Sequence, residues 1–230
     1  MADVFGDRIR RAETLEKEWP FASELLRFWR KVWSLQKERI PAEALVARFA
    51  DLIRQDGPPV LAQHLTALPD LEAALSRYAD GEASENPVPE LLYRVLKERE
   101  FVELRSRGSS VPCARCADGP GVSVLREDKN AETVRRSLIC SRCSQERDFP
   151  RVLCPACNEE NPDKLPRYTA QGVAWIRVEA CDTCRKYIKS VDLTQNWNAD
   201  PVVDELASTP LDVIAREHGY AKIAPNLAGI

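Results

Sequence analysis

Eight cysteines fall in four Cys-x-x-Cys pairs, Cys113/Cys116, Cys140/Cys143, Cys154/Cys157 and Cys181/Cys184, and nowhere else. Twenty-three residues separate the first pair from the second, and twenty-three separate the third from the fourth. The chain thus writes one module, Cys-x2-Cys-x23-Cys-x2-Cys, twice at an offset of 41 residues. The match extends past the sulfurs, because Val134-Arg135-Arg136 ahead of Cys140 lines up with Trp175-Ile176-Arg177 ahead of Cys181. Two cysteines three apart on a tight turn can aim both sulfurs at a point about 2.3 Å away, and two such turns complete a tetrahedron. Each module is therefore expected to hold one metal ion, iron or zinc, in a zinc-ribbon or rubredoxin-like claw. Metal bonding would also supply folding energy, since so short a segment buries little apolar surface by itself.

Other uses of cysteine fit less well. A thioredoxin-type centre needs one reactive pair opening a helix in a βαβ unit, whereas these pairs sit amid Pro, Asn, Asp and Gly. A disulfide framework needs an oxidising compartment. The opening Met1-Ala2-Asp3-Val4-Phe5-Gly6-Asp7-Arg8 carries charges where a signal peptide needs an apolar run, and no 18-residue apolar stretch predicts membrane insertion. The expectation is a cytoplasmic protein with reduced, metallated cysteines. The duplicated spacing favours one ion within each module, but Cys143 and Cys154 are only 11 apart, so interleaved sites stay open.

The elements that must carry these modules come from an ordinary globular composition, 44% hydrophobic and 30% charged. Residues 1–112 contain no cysteine and read as helical almost throughout. Phe21, Leu25, Phe28, Trp29, Val32 and Trp33 recur at three- and four-residue spacings on one face, the pattern of a bundle core. Pro41-Ala42-Glu43 starts a second helix with Leu45, Phe49, Leu52 and Ile53 inward, and Asp56-Gly57 stops it. Shorter helices are expected over 58–66 and 69–78, then a polar loop Asp80–Pro87, then a long helix from Pro89 to about Arg107. After the last cysteine pair, Asp200-Pro201 predicts a helix through Val203, Leu206 and Ala207. A further turn runs from Pro210 through Leu211, Val213, Ile214 and Ala215 to a left-handed cap at Gly219. The fold class expected is α+β, a helical N-terminal domain followed by two tandem metal modules and a C-terminal helix. The boundaries are 1–108, 109–150, 151–197 and 198–230.

Catalysis finds no support. His64 and His218 are the only histidines and have no partner at a recognisable spacing, and no Gly-rich phosphate loop or nucleophile elbow occurs. Nucleic-acid binding is disfavoured by charge. The modules hold 14 Lys/Arg against 11 Asp/Glu, and two four-thiolate sites with divalent metals take that balance to about −1, in a chain already at −3. A basic patch (Arg135, Arg136, Arg142, Arg147, Arg151) is interleaved with Glu146 and Asp148.

The C-terminal half resembles the formate dehydrogenase accessory protein FdhE family. The resemblance rests on the four knuckles, on Glu179-Ala180-Cys181-Asp182-Thr183-Cys184-Arg185-Lys186-Tyr187-Ile188-Lys189, and on Asp200 to Ala207, Leu211 to Tyr220 and Asn226-Leu227. It implies tandem rubredoxin-like modules behind a helical domain, and metal on the cysteines with iron as a family association. It also implies binding to the catalytic subunit of a respiratory formate dehydrogenase in the cytoplasm, before export. Two departures stand out: the first knuckle reads Cys-Ala-Arg-Cys-Ala-Asp-Gly without the expected Pro and Gly neighbours, and Arg147 stands where the family tends to carry Trp. The expected client surface is the hinge Glu146, Arg147 and Arg151, with Asp204, Glu205, Asp212, Glu217 and Tyr220 of the terminal segment beside it. A homodimer is compatible with this reading. The rival function is a rubredoxin-like iron electron carrier, and a zinc-ribbon nucleic-acid binder ranks third.

Overall fold

A computed structural model describes residues 3–101, 112–128, 133–227 and 229. The chain divides into two compact units, Met1–Phe101 and Val102–Ile230. The first is helical: α1 (Val4–Glu18), α2 (Ser23–Lys37), α3 (Ala42–Asp56), α4 (Pro59–Thr66), α5 (Leu71–Ala79) and α6 (Pro87–Phe101). Side-chain caps start several of them. Asp3 accepts from the Gly6 amide, Asp70 from Ala73, and Asn86 from Val88, each satisfying a donor that the first turn leaves unpaired.

The aromatic stripe is core, with Phe28, Trp29, Val32, Trp33 and Phe49 buried together with Leu15, Leu26, Leu45 and Leu92. Two expected members differ. Phe21 lies in a short 3-10 turn led by Pro20, stacks on Trp19 and stays 61% exposed, and Leu25 is half-buried while Leu26 takes the inward place. A buried polar knot crosses three helices: Arg8 donates to Glu98 (2.6 Å), and Gln36 donates to Glu98 and to the Val95 carbonyl. The long helix begins at Pro87 rather than Pro89, and its expected end lies outside the described residues.

The second unit is built on β1 (Pro120–Asp128), β2 (Thr133–Cys140), β3 (Glu146–Phe149), β4 (Arg167–Thr169), β5 (Ile176–Cys181) and β6 (Lys186–Asp192). These are followed by α7 (Pro201–Ala207), α8 (Thr209–Glu217) and β7 (Ala221–Lys222). Each module contributes an antiparallel meander, and the two meanders merge into one sheet in the order β3-β2-β1-β6-β5-β4. The seam is a parallel pairing of β1 with β6, Val122 opposite Lys189 through Leu125 opposite Asp192. Alternation along the strands then separates two faces. Leu138, Phe149 and Ile188 pack on one face with Leu153 and Ile223. Tyr187 and Lys189 point to the other, which α7 and α8 cover through bonds to Asp212 and Glu205. Asp200 caps α7 by accepting from Val202 and Val203 with Pro201 in the first turn, and Gly219 at φ 78° turns the chain out of α8 into β7. Among the described residues no helix is long and apolar enough to cross a membrane.

Candidate metal centre

Each cysteine pair sits on the same backbone knuckle. The residue after the second cysteine (Ala117, Ser144, Asn158 or Arg185) has a φ between 53° and 61°. Its amide donates back to the carbonyl of the first cysteine, at 2.8, 3.2, 2.9 and 2.9 Å. That left-handed step folds the turn tightly enough for both sulfurs to face one side. It normally favours Gly or Asn, and only Asn158 is of that kind. The knuckles also need close backbone approach: a Cβ on Gly121 would meet Ser141 Cα at 3.1 Å.

The strands bring the knuckles together in sequence order. Cys113, Cys116, Cys140 and Cys143 form one cluster, and Cys154, Cys157, Cys181 and Cys184 the other, with all four sulfurs of each within 4.8 Å of one another. Individual separations are 3.8 Å for Cys113–Cys143, 3.4 Å for Cys116–Cys140, 3.8 Å for Cys154–Cys184 and 3.6 Å for Cys157–Cys181. A tetrahedron with arms of about 2.3 Å has edges of about 3.8 Å, whereas a disulfide needs about 2.05 Å. All eight cysteines are free. The donor sets thus fit one tetrahedral ion each.

Electrostatics among the sulfurs point the same way. A thiol hydrogen bond from Cys143, with the Cys143 and Arg142 amides, pulls Cys140 down to about 5 against the cost of burial. Cys143, as the donor, is pushed up, and burial raises Cys116 to about 12. In the second cluster burial opposes ionisation, but the Cys184 amide and the Cys157 thiol hold Cys181 below an ordinary thiol, while burial raises Cys154. Cys140 is thus favoured as a thiolate and Cys181 is shifted the same way, whereas burial opposes ionisation of Cys116, Cys154 and Cys184. A bound cation offsets that cost, and binding should therefore release protons.

The supports differ. Around the first cluster Arg142 pairs with Asp118 (2.8 Å), and Gln145 lies 3.7 Å from the Cys113 sulfur. Around the second, Thr183 donates to Glu159, tying the two knuckles together. Tyr220 donates to Asp182 (2.6 Å), and the Arg185 guanidinium lies over the Tyr220 ring.

Burial divides the residues of the expected client surface. Arg147, Asp204, Glu205, Asp212 and Tyr220 are buried, and of the eight residues only Arg151 and Glu217 are exposed, with Glu146 half-buried against Arg126. The acids are counter-ions. Asp212 accepts from Lys189 (2.6 Å), Lys222 (2.9 Å) and Tyr187 (2.8 Å), while Glu205 pairs with both lysines. Asp204 accepts from Trp175 (2.8 Å) and from the Asp200 amide. Nor do the two segments adjoin: the linker before Cys154 packs through Leu153 on the Leu138 face, and α7 and α8 cover the opposite one. Arg147 lies beside Leu138 in register, 3% exposed, and its three guanidinium nitrogens lack a hydrogen-bond partner among the described residues.

In the basic patch, Arg135 pairs with Asp148, Arg136 with Glu179 and Arg142 with Asp118, which leaves the buried Arg147 and the exposed Arg151 outside these pairs. His218 packs on Tyr168, and the His64 carbonyl accepts from Asn86. Sequence reading missed Trp197, 84% exposed between β6 and α7; a lone Trp amid Gln, Asn and Asp was the available signal.

Comparison with known proteins places this geometry. A family profile described as "FdhE, C-terminal domain" matches residues 152–228. A protein FdhE homolog of Aquifex aeolicus is 31% identical over 117 residues, 51% of this chain and 41% of that protein. One of Pseudomonas aeruginosa is 33% identical over 136 residues, 57% of this chain and 43% of that protein. The chain's matches thus span less than half the length of these relatives. The crystal structure of the FdhE protein from Pseudomonas aeruginosa superposes with a TM-score of 0.68 over 98% of this chain and 95% of that one, at 22% identity. Residues 152–228 thus match the profile of the FdhE C-terminal domain, and the chain shares the fold of that FdhE structure.

Proposed function

We propose that this protein is a non-catalytic assembly factor that binds the catalytic subunit of a respiratory formate dehydrogenase in the cytoplasm while that enzyme is being made. One observation carries the reading: the match to the FdhE C-terminal domain spans the second four-cysteine cluster and the helices packed on it. Two metal ions, iron or zinc, sit on Cys113, Cys116, Cys140 and Cys143 and on Cys154, Cys157, Cys181 and Cys184. Zinc would act only as a structural tie, whereas iron on four thiolates would add one-electron chemistry. The residues around the clusters hold shape: the knuckle amides orient the sulfurs, and the ion pairs beneath them fix the strands.

The client surface is drawn from what is exposed. The exposed candidates lie on separate segments, Arg151 and Val152 on the linker, Trp197 between β6 and α7, and Val213 and Glu217 on α8, and exposed aromatics such as Trp197 are enriched in interfaces. A pull-down from a strain deleted for the gene and complemented with tagged protein tests the reading, scored beside formate-dependent dye reduction. Recovery of the dehydrogenase catalytic subunit by wild type, reduced by Trp197→Ser or Arg151→Glu at unchanged metal content, is expected. Full dehydrogenase activity in the deletion strain with no client recovered would discard it in favour of an electron carrier. Metal analysis after anaerobic purification separates iron from zinc.

A further inference from the structure

The repeat is symmetric in its sulfurs but not in its arginines. Arg136 lies on β2, four residues before Cys140, and is 3% exposed. Its Nε donates to Ser123 in its own module (2.8 Å). Nη1 donates to the Pro150 and Leu153 carbonyls (3.2 and 2.9 Å), and Leu153 directly precedes Cys154. Nη2 donates to Glu179 (2.7 Å), two residues before Cys181. One planar fork thus fixes both chain segments entering the second cluster, a geometry that a single ammonium cannot copy. Arg136 also shares the wall of a cavity of about 20 Å³ with Cys154 and Cys181, space for a single water. With Arg177, which also donates to Glu179 (3.0 and 2.9 Å), it sets a net charge of +1 next to a divalent four-thiolate site carrying −2. Arg177 is the residue 41 positions on from Arg136, yet its guanidinium donates to Glu179 of its own strand.

We propose that Arg136 is the strut through which the first module sets the second metal site, so that metal retention by the second cluster depends on this one side chain and on an intact first module. Arg136 is a positioning residue, acting on the cysteines through the backbone it holds.

The test is chelator challenge of the purified, metallated full chain with iodoacetamide labelling read peptide by peptide, beside elemental analysis. Arg136→Met should label Cys154, Cys157, Cys181 and Cys184 about 10- to 100-fold faster than wild type, the usual scale for losing a supporting contact behind a metal ligand. The first-module cysteines should stay protected. Arg136→Lys should fall between the two, and Arg177→Met should behave as wild type. Without touching the arginine, Cys140→Ser should also accelerate labelling of the second cluster. Wild-type protection of all eight cysteines in Arg136→Met would overturn the proposal. So would equal exposure of both modules in Arg136→Met, or wild-type protection of the second cluster in Cys140→Ser.

Discussion

The two metal modules share spacing, knuckle geometry and donor set, and differ in what stands behind them. The first cluster is backed by one surface ion pair and a glutamine; the second is enclosed by two helices, a seventh strand and a buried two-lysine, two-carboxylate network. Duplication preserved what the metal requires, since four sulfurs at tetrahedral distances leave little freedom. Everything that does not touch the ion was free to diverge, and the second module acquired the larger scaffold.

The largest way to break the comparison is to remove a thiolate. Cys181→Ser should cost the second ion, since metal binding contributes about 10–16 kcal/mol to folds of this size. Residues 1–101 should keep their helical circular dichroism, and elemental analysis should fall from two ions to one. Concerted loss of helix and both metals would show that the units unfold as one.

Next in size is the buried network. Asp212→Asn leaves Lys189 and Lys222 facing Glu205 alone and should destabilise the second unit by about 3–5 kcal/mol in urea unfolding. Asp148 occupies the place in the first module that Lys189 has in the second, but it is exposed. Asp148→Asn should therefore cost about 0.5 kcal/mol or less. Burial alone would raise the Asp212 carboxyl, but Lys189 and Lys222 outweigh it and hold it below 3.8. A depressed carboxylate stabilises fully above its unfolded value, so this contribution is complete at neutral pH and shrinks as pH falls below 3.8. Acid unfolding of Asp212→Asn should accordingly be less steep than that of wild type.

A third substitution makes the modules more alike. Arg147 is equivalent to Ile188, which is buried among Leu138 and Phe149. Arg147→Ile removes an unpaired buried fork and should stabilise the protein by about 1–3 kcal/mol; an unchanged or lower melting temperature would refute this. The smallest effect belongs to the knuckles. Ala117→Gly relieves a left-handed alanine and should slow metal release from the first cluster slightly, worth about 1 kcal/mol. The same change at Asn158 should do less, because asparagine already tolerates that conformation.

Legibility in the sequence followed the range of the forces. Cysteine spacing, most of the aromatic stripe and the Asp200-Pro201 start are local signals, and the structure places them as the residues suggested, with Phe21 and Leu25 the exceptions. The merged sheet was not legible, because β1 and β6 meet across more than sixty residues and neither strand announces its neighbour. The charges of Asp204, Glu205 and Asp212 suggested solvent, the usual place for acids. The clue to their burial was Lys189, an inward-pointing lysine in the strand Tyr187-Ile188-Lys189-Ser190-Val191, which needed anions from somewhere.

The seam between β1 and β6 has a geometric consequence. It joins the first strand of one repeat to the third strand of the next, with all equivalent strands pointing the same way. The repeats are thus related by a step along the sheet rather than by a two-fold turn, and such a step has no natural end. The free third strand β3 and the free first strand β4 are, in principle, the two halves of another seam between molecules. Their lengths forbid it: β3 has four residues where β6 has seven, and β4 has three where β1 has nine. Short outer strands are a general defence against edge-to-edge growth. The two shortest main strands of this sheet stop a duplicated module from becoming a ribbon.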